Sequence, residues 1–281
     1  MKIEKQDIDF YQQNGYLLVD NFFSSEDVAL MTEQLPAMCE GDSPRLVRET
    51  NGEIRSLYGL HEVSSVYNEL CALQQIVDPV KKILGTDVYV HQTKLNIKKA
   101  FKGDWWEWHQ DFPYWHIYDG MPAPAVVSVM IFLDDVTEFN GPLYIIPGSH
   151  QIGIVDFQEK ASAESQEEEK YYLSALSANL EYTVEQKILS RWFDKKGIVS
   201  ATGKAGSVLF FHANVFHSSN CNLSPLDRRV FIITYNSTEN SLTEGQKVRP
   251  SFLCNRDFSP IKPVEGSWFR KYRELEENIV N

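Results

Sequence analysis

The chain has 281 residues, 43% hydrophobic and 23% charged, which is ample apolar material for a core. Its 39 acidic and 27 basic residues give a net charge of −12, which argues against a polyphosphate partner such as nucleic acid or an anionic membrane. No apolar run approaches the roughly 20 residues of a membrane span. The start, MKIEKQDIDFYQQ, lacks an apolar leader, and the scattered Cys39, Cys71, Cys221 and Cys254 read as free thiols of a reducing cytoplasm.

Taken in chain order, residues 1–85 read as mainly helical. Ser24 stands three residues before Asp27, ahead of VALMTEQLPAM, as in a capping box. The run VSSVYNELCALQQIV spaces Val66, Leu70, Leu73 and Val77 as one helical face. Asp78-Pro79 is expected to interrupt it, and Gly85 to end the next turn. From Thr86 the period changes. DVYVHQTKLNI, WWEWHQD, AVVSVMIFLDDV, GPLYIIPG, GSVLFF and RRVFIITYN read as strands between Gly, Pro and Asn punctuation. A charged helical insert over about 156–196 and a C-terminal helix over 261–281 complete the pattern. The expectation is one domain over 1–281, mainly β: a double-stranded, cupin-like jelly roll at 86–260 with flanking helices.

The sharpest motif is His109-Gln110-Asp111. In a strand, residues i and i+2 share a face, so an imidazole and a carboxylate would stand side by side. With a second histidine they would form the 2-His-1-carboxylate site of non-haem Fe(II) oxygenases. His61, His91, His116 and His150 have core, turn or loop readings; His212 and His217 both follow an apolar strand, and position alone does not choose between them. Arg228 opens the strand RRVFIITYN, where its fork could clamp a carboxylate or simply sit on the surface.

Three stretches, WHQDFPYWHIYDGMPAP, FLDDVTEFNGPLYIIPGSH and GSVLFFHANVFHSSNCNLSPLDRRVF, resemble the phytanoyl-CoA dioxygenase superfamily, nearest its ectoine-hydroxylase-like, small amino-acid branch. The resemblance covers about residues 90–260 and is weak over the first 85 residues and the insert. It implies an enzyme using Fe(II), 2-oxoglutarate and O2, with His109, Asp111 and His217 as iron ligands. His217 is selected because it stands eleven residues before Arg228, as in the family. Arg228 would bind the distal carboxylate of 2-oxoglutarate, with Ser128, Asn96, Lys98 and Phe211 around the cosubstrate. Gln92 and Trp115 match substrate-side positions.

The resemblance implies hydroxylation of a small amino-acid-like molecule, with succinate and CO2 as co-products. Desaturation or ring closure is the alternative outcome. A cupin-like hydrolase or isomerase and a non-catalytic binding protein are the competing classes. Asp111 argues against halogenation, which needs a small residue in its place. The DFPYWH loop departs from ectoine hydroxylase and puts ectoine itself in doubt. The crowd of Trp105, Trp106, Trp108, Tyr114 and Trp115 divides between core and pocket wall. The acid excess lies mainly in residues 1–90, where acids outnumber bases by eight; residues 203–256 carry three more bases than acids. A small dianion is therefore compatible with the global charge.

Overall fold

In the computed structural model, which describes residues 3–155, 157–159, 180–246 and 248–265, the period-two segments pair into antiparallel sheets. The larger sheet has seven strands in the order β1 (Tyr16–Val19), β11 (Val208–His212), β6 (Val126–Phe132), β13 (Arg228–Ser237), β4 (Val88–Lys98), β3 (Ile54–Tyr58) and β2 (Leu46–Arg48). The smaller has four: β10 (Val199–Ala201), β7 (Leu143–Ile145), β12 (His217–Ser219) and β5 (Trp106–His109). A short ribbon pairs β8 (Phe157–Glu159) with β9 (Tyr182–Val184). The non-consecutive strand orders are those of a jelly roll.

Strand alternation divides the core in two. Val127, Val129 and Ile131 of β6 join Phe210, Phe231 and Ile233 on a face covered by helices. Those helices are α2 (Ser25–Glu33), α5 (Ser65–Cys71) and α6 (Gln74–Leu84), which contribute Met31, Leu70 and Val77. Met130 and Phe132 turn the other way and meet Ile145, Phe211 and Ile232 between the sheets. Each fully buried side chain of this kind stabilises the fold by about 1.5–3 kcal/mol relative to exposure.

One irregularity sets what faces the gap between the sheets. Opposite β13, the register passes from Thr234↔Gln92 to Tyr235↔Val90, so His91 is an extra residue in β4, a β-bulge. Val88 and Val90 face the helices before it, and Leu95 and Ile97 after it. The change of phase turns Gln92, Lys94 and Asn96 together towards the sandwich interior.

The N-terminal region departs from the expected helical flank. It supplies β1, β2 and β3, which close both edges of the larger sheet. YLLV and EIRSLY are short segments, and only their pairing partners distinguish strand from helix at that length. The Ser24 cap is present: Asp27 N–H donates to Ser24 Oγ at 3.2 Å and Ser24 N–H to Asp27 Oδ2 at 3.0 Å. Pro79 does not interrupt its helix. It lies inside α6, and the break falls earlier, at Ala72-Leu73. Burial of Ile76, Val77, Pro79 and Val80 offsets the lost helical hydrogen bond. Gly85 ends α6 in the left-handed conformation, as expected.

Within the charged insert, α8 (Gln186–Lys196) is helical, whereas β8 and β9 are strands. Residues 160–179 of the expected insert, and the expected C-terminal helix from residue 266 onward, lie outside the described residues. Residues 261–265 are not helical, and Val264 bridges Leu73. Among the described residues, no helix is long and apolar enough to cross a membrane.

Phe231 is fully buried on the helix-facing side, its ring 4.6 Å from that of Tyr67. Phe231→Ala is expected to cost about 3–5 kcal/mol of stability, read as a lower urea midpoint with an unchanged slope.

Candidate active site

The smaller sheet builds the centre of the site. β5 ends at His109, and β12 pairs with it so that His217 stands directly opposite. Asp111 lies outside the strand, which corrects the expectation of a shared strand face. It has helical backbone angles (φ −72°, ψ −37°) as the residue before α7 (Phe112–Asp119), and Pro113 near the helix start presets the turn. The N–H groups of Asp111 and Phe112 both donate to Ala213 O, at 3.0 and 3.1 Å. This strand-to-helix turn carries the carboxylate back towards the imidazoles. Trp115 and His116, expected in a loop, lie on α7.

The result is a compact, buried triad. His109 Nε2 lies 3.7 Å from Asp111 Oδ1, and His217 Nε2 lies 3.8 Å from Asp111 Oδ2. Each imidazole is oriented through its other nitrogen: Nδ1 of His109 is 2.7 Å from Glu107 O, and Nδ1 of His217 is 3.0 Å from Val215 O. An Nδ1–H bonded to a carbonyl leaves Nε2 with its lone pair, the state in which histidine binds metals. Burial, and then neighbouring His109, push His217 down to about 3, so it is neutral at physiological pH. Burial opposes ionisation of Asp111, but Lys94, His217 and His109 together hold its carboxyl below the ordinary range. Its Oδ2 is buried and has no hydrogen-bond partner among the described residues.

A pocket opens over this triad between the two sheets. Of the residues singled out in the sequence, it brings together Arg228, Asn96, Phe211, Gln92 and Trp115 with His109, Asp111 and His217. The Arg228 guanidinium donates from Nη2 to Gly141 O at 2.9 Å, while its buried Nε has no partner among the described residues. Burial lowers Arg228 to about 10, which leaves it charged at neutral pH. Two of the singled-out residues stand apart from the pocket lining. Ser128 is buried in β6, 3.5 Å from Thr234 Oγ1. Lys98 directs its ammonium into the neighbouring loops, donating to Asp104 O at 2.6 Å and to Asn220 O. Lys94, Arg249, Tyr58 and Ser219 line the pocket without having been singled out.

The remaining histidines are structural. His91 Nε2 is 3.1 Å from Asp119 Oδ2, and Arg249 donates to both oxygens of Asp119, at 2.7 and 2.6 Å. His91, Asp119 and Cys254 are close enough to hold a cation, but Arg249 already neutralises that carboxylate. His61 bonds Thr93, and His116 bonds Met121 O. His212 Nδ1 accepts from Asn214 N–H at 3.0 Å, and its ring packs 5.0 Å from that of His150.

Comparison with known proteins agrees with this geometry. The family model for phytanoyl-CoA dioxygenase (PhyH) matches residues 11–230. The chain is 39% identical over 257 residues to an L-proline trans-4-hydroxylase of Streptomyces griseoviridis, covering 91% of this chain and 94% of that one. It is 35% identical over 268 residues to an ectoine dioxygenase of Bordetella bronchiseptica, covering 91% and 84%. Its fold is similar to that of EctD from S. alaskensis solved with 2-oxoglutarate and 5-hydroxyectoine: TM-score 0.80, 30% identity, 95% of this chain and 89% of that one. EctD has also been solved with bound Fe.

His212 supplies a test of the buried histidines. Burial, then His150, lower it from 6.5 to about 4. As pH falls below 6.5 the unfolded chain gains a proton that the folded chain refuses, so stability declines until about pH 4. His212→Gln is expected to flatten the decline of the urea midpoint over that interval; an unchanged slope contradicts the assignment.

Proposed function

The chain belongs to the phytanoyl-CoA dioxygenase family, and on that premise we propose that it hydroxylates a small amino-acid-like molecule in the cytoplasm, with His109, Asp111 and His217 holding the iron. It is a 2-oxoglutarate-dependent dioxygenase that requires Fe(II), 2-oxoglutarate and O2. The single observation carrying the site reading is the convergence of two imidazole Nε2 atoms and a carboxylate at one end of a pocket that also holds Arg228.

The donor set fits iron. It offers two nitrogens and one oxygen from neighbouring positions, and the unpartnered Asp111 Oδ2 is a buried acceptor that a cation would satisfy. When bound, iron with 2-oxoglutarate and O2 supplies the oxidising power to break an unactivated C–H bond, with succinate and CO2 as co-products.

The chain's own residues position and shield. Arg228 is braced by Gly141 O, leaving the rest of its fork for the distal carboxylate of 2-oxoglutarate. Gly141 has φ +79°, and a Cβ there would fall 2.5 Å from Asn220 O, so glycine is needed for this approach. Asn96 is oriented by Ser56 Oγ at 2.8 Å, and Phe211 contributes an apolar wall. Trp106, Tyr114 and Trp115 exclude water around the triad and bound the substrate's space. Lys98 supports this reading indirectly, by tying together loops that frame Arg228. The substrate class rests on the relatives named for L-proline and ectoine.

Purified protein with Fe(II), 2-oxoglutarate and O2 is expected to release succinate when given a hydroxylatable member of a panel of amino acids and ectoine. Asp111→Ala should abolish this turnover together with metal retention. Arg228→Lys should raise the KM for 2-oxoglutarate about 10- to 100-fold, the loss of a charged bidentate contact of about 1.5–3 kcal/mol. Wild-type turnover in Asp111→Ala would sink the ligand assignment.

A further inference from the structure

Lys94 helps keep Asp111 ionised, yet once iron and cosubstrate are bound the pocket holds one positive charge more than it holds negative ones. Lys94 stands between Gln92 and Asn96 on β4, and the bulge at His91 turns all three inward. Its ammonium makes no hydrogen bond and no ion pair within 4.0 Å to any described residue. Its cross-strand neighbours are Ile232 and Tyr58, neither of them an anion. Lysine is strongly hydrated, and a pocket that closes on a substrate strips that hydration away.

The other charges of the pocket are matched. Arg249 is held through two nitrogens by Asp119. A divalent iron and Arg228 carry three positive charges; Asp111 and a dianionic 2-oxoglutarate carry three negative ones. That leaves the single positive charge of Lys94 facing the space where the substrate must lie. The opposite requirement is met nearby. Gln92 commits its Nε2 to Leu253 O at 2.7 Å, which leaves its carbonyl oxygen to accept from an amine. Trp115 adds an aromatic wall on the same pocket.

We propose that Lys94 receives a carboxylate of the primary substrate, so that the enzyme selects free amino or imino acids over their neutral amides. The inference rests on the dioxygenase reading above. It also makes Lys94 a determinant of specificity, because a neutral or cationic ligand would leave the ammonium unpaired.

The test follows binding rather than turnover. Wild type, Lys94→Met and Lys94→Arg are loaded anaerobically with Fe(II) and 2-oxoglutarate. Titrants are L-proline, ectoine, the other proteinogenic amino acids and the amides of any that bind. Perturbation of the visible charge-transfer band reports binding. In wild type an acid should bind at least about tenfold more tightly than its amide. Lys94→Met should erase that preference while leaving 2-oxoglutarate affinity within about threefold, and Lys94→Arg should restore most of it. An amide that binds wild type as tightly as its acid overturns the proposal. So does a wild type that binds none of the carboxylates. A tenfold loss of 2-oxoglutarate affinity in Lys94→Met with the acid preference intact assigns the lysine to the cosubstrate instead. If Lys94→Met does not fold, the acid-to-amide ratio of wild type and Lys94→Arg decides alone. A wild type that gives no charge-transfer band at all rejects the dioxygenase reading, a failure distinct from the others.

Discussion

The site depends on the register of two short strands. β12 lies between β5 and β7, and its pairing fixes His217 opposite His109. A slip of one residue would present Ser218 in its place and turn the imidazole to the other face of the sheet. The surrounding structure holds that register from both sides. Ser218 Oγ donates to Trp106 O at 2.7 Å, and Phe216 N–H donates to Ser149 Oγ at 2.8 Å. Asp111 is secured separately, through Ala213 O, on the segment that leads into β12. The three candidate ligands therefore share one small framework of backbone hydrogen bonds.

Much of this was legible in the sequence. Continuous apolar runs identified the central strands, because a sheet covered on both sides buries Val127, Val129 and Ile131 on one face and Met130 and Phe132 on the other. The H-x-D motif pointed to the site, and the family resemblance picked out His217, eleven residues before Arg228. What escaped was phase and pairing. Whether Asp111 ends a strand or begins a helix depends on its bond to Ala213, about a hundred residues away. β1 and β3 are strands because the sheet has open edges there, a tertiary fact. Lys94 was overlooked for a similar reason. In an alternating strand it reads as a solvated lysine, and only the bulge at His91 reveals which way its face turns. Lys98, four residues further along the same face, was expected at the cosubstrate but spends its ammonium on loop carbonyls.

The electrostatics reconcile an acidic protein with an anionic cosubstrate. Arg228 and Lys94 line the pocket, while Arg249 beside them is matched by Asp119 and the surplus carboxylates lie largely in residues 1–90. Burial limits screening by water and salt, so these few cations govern the local potential more than the net charge of −12 does.

Lys98 has a consequence for how such a site can change. Its ammonium joins the loop at Asp104 to the loop at Asn220, and its methylenes pack where a side chain on Gly141 would intrude. The frame around Arg228 is thus self-supporting. The residues we propose for the substrate are Gln92 and Lys94, which share β4 with Lys98 but line the pocket, and Trp115 on α7. Replacing them leaves that frame intact, so one end of the cleft can be rewritten by mutation while the other stays fixed. This separation lets a lineage acquire new substrates without rebuilding its oxidant.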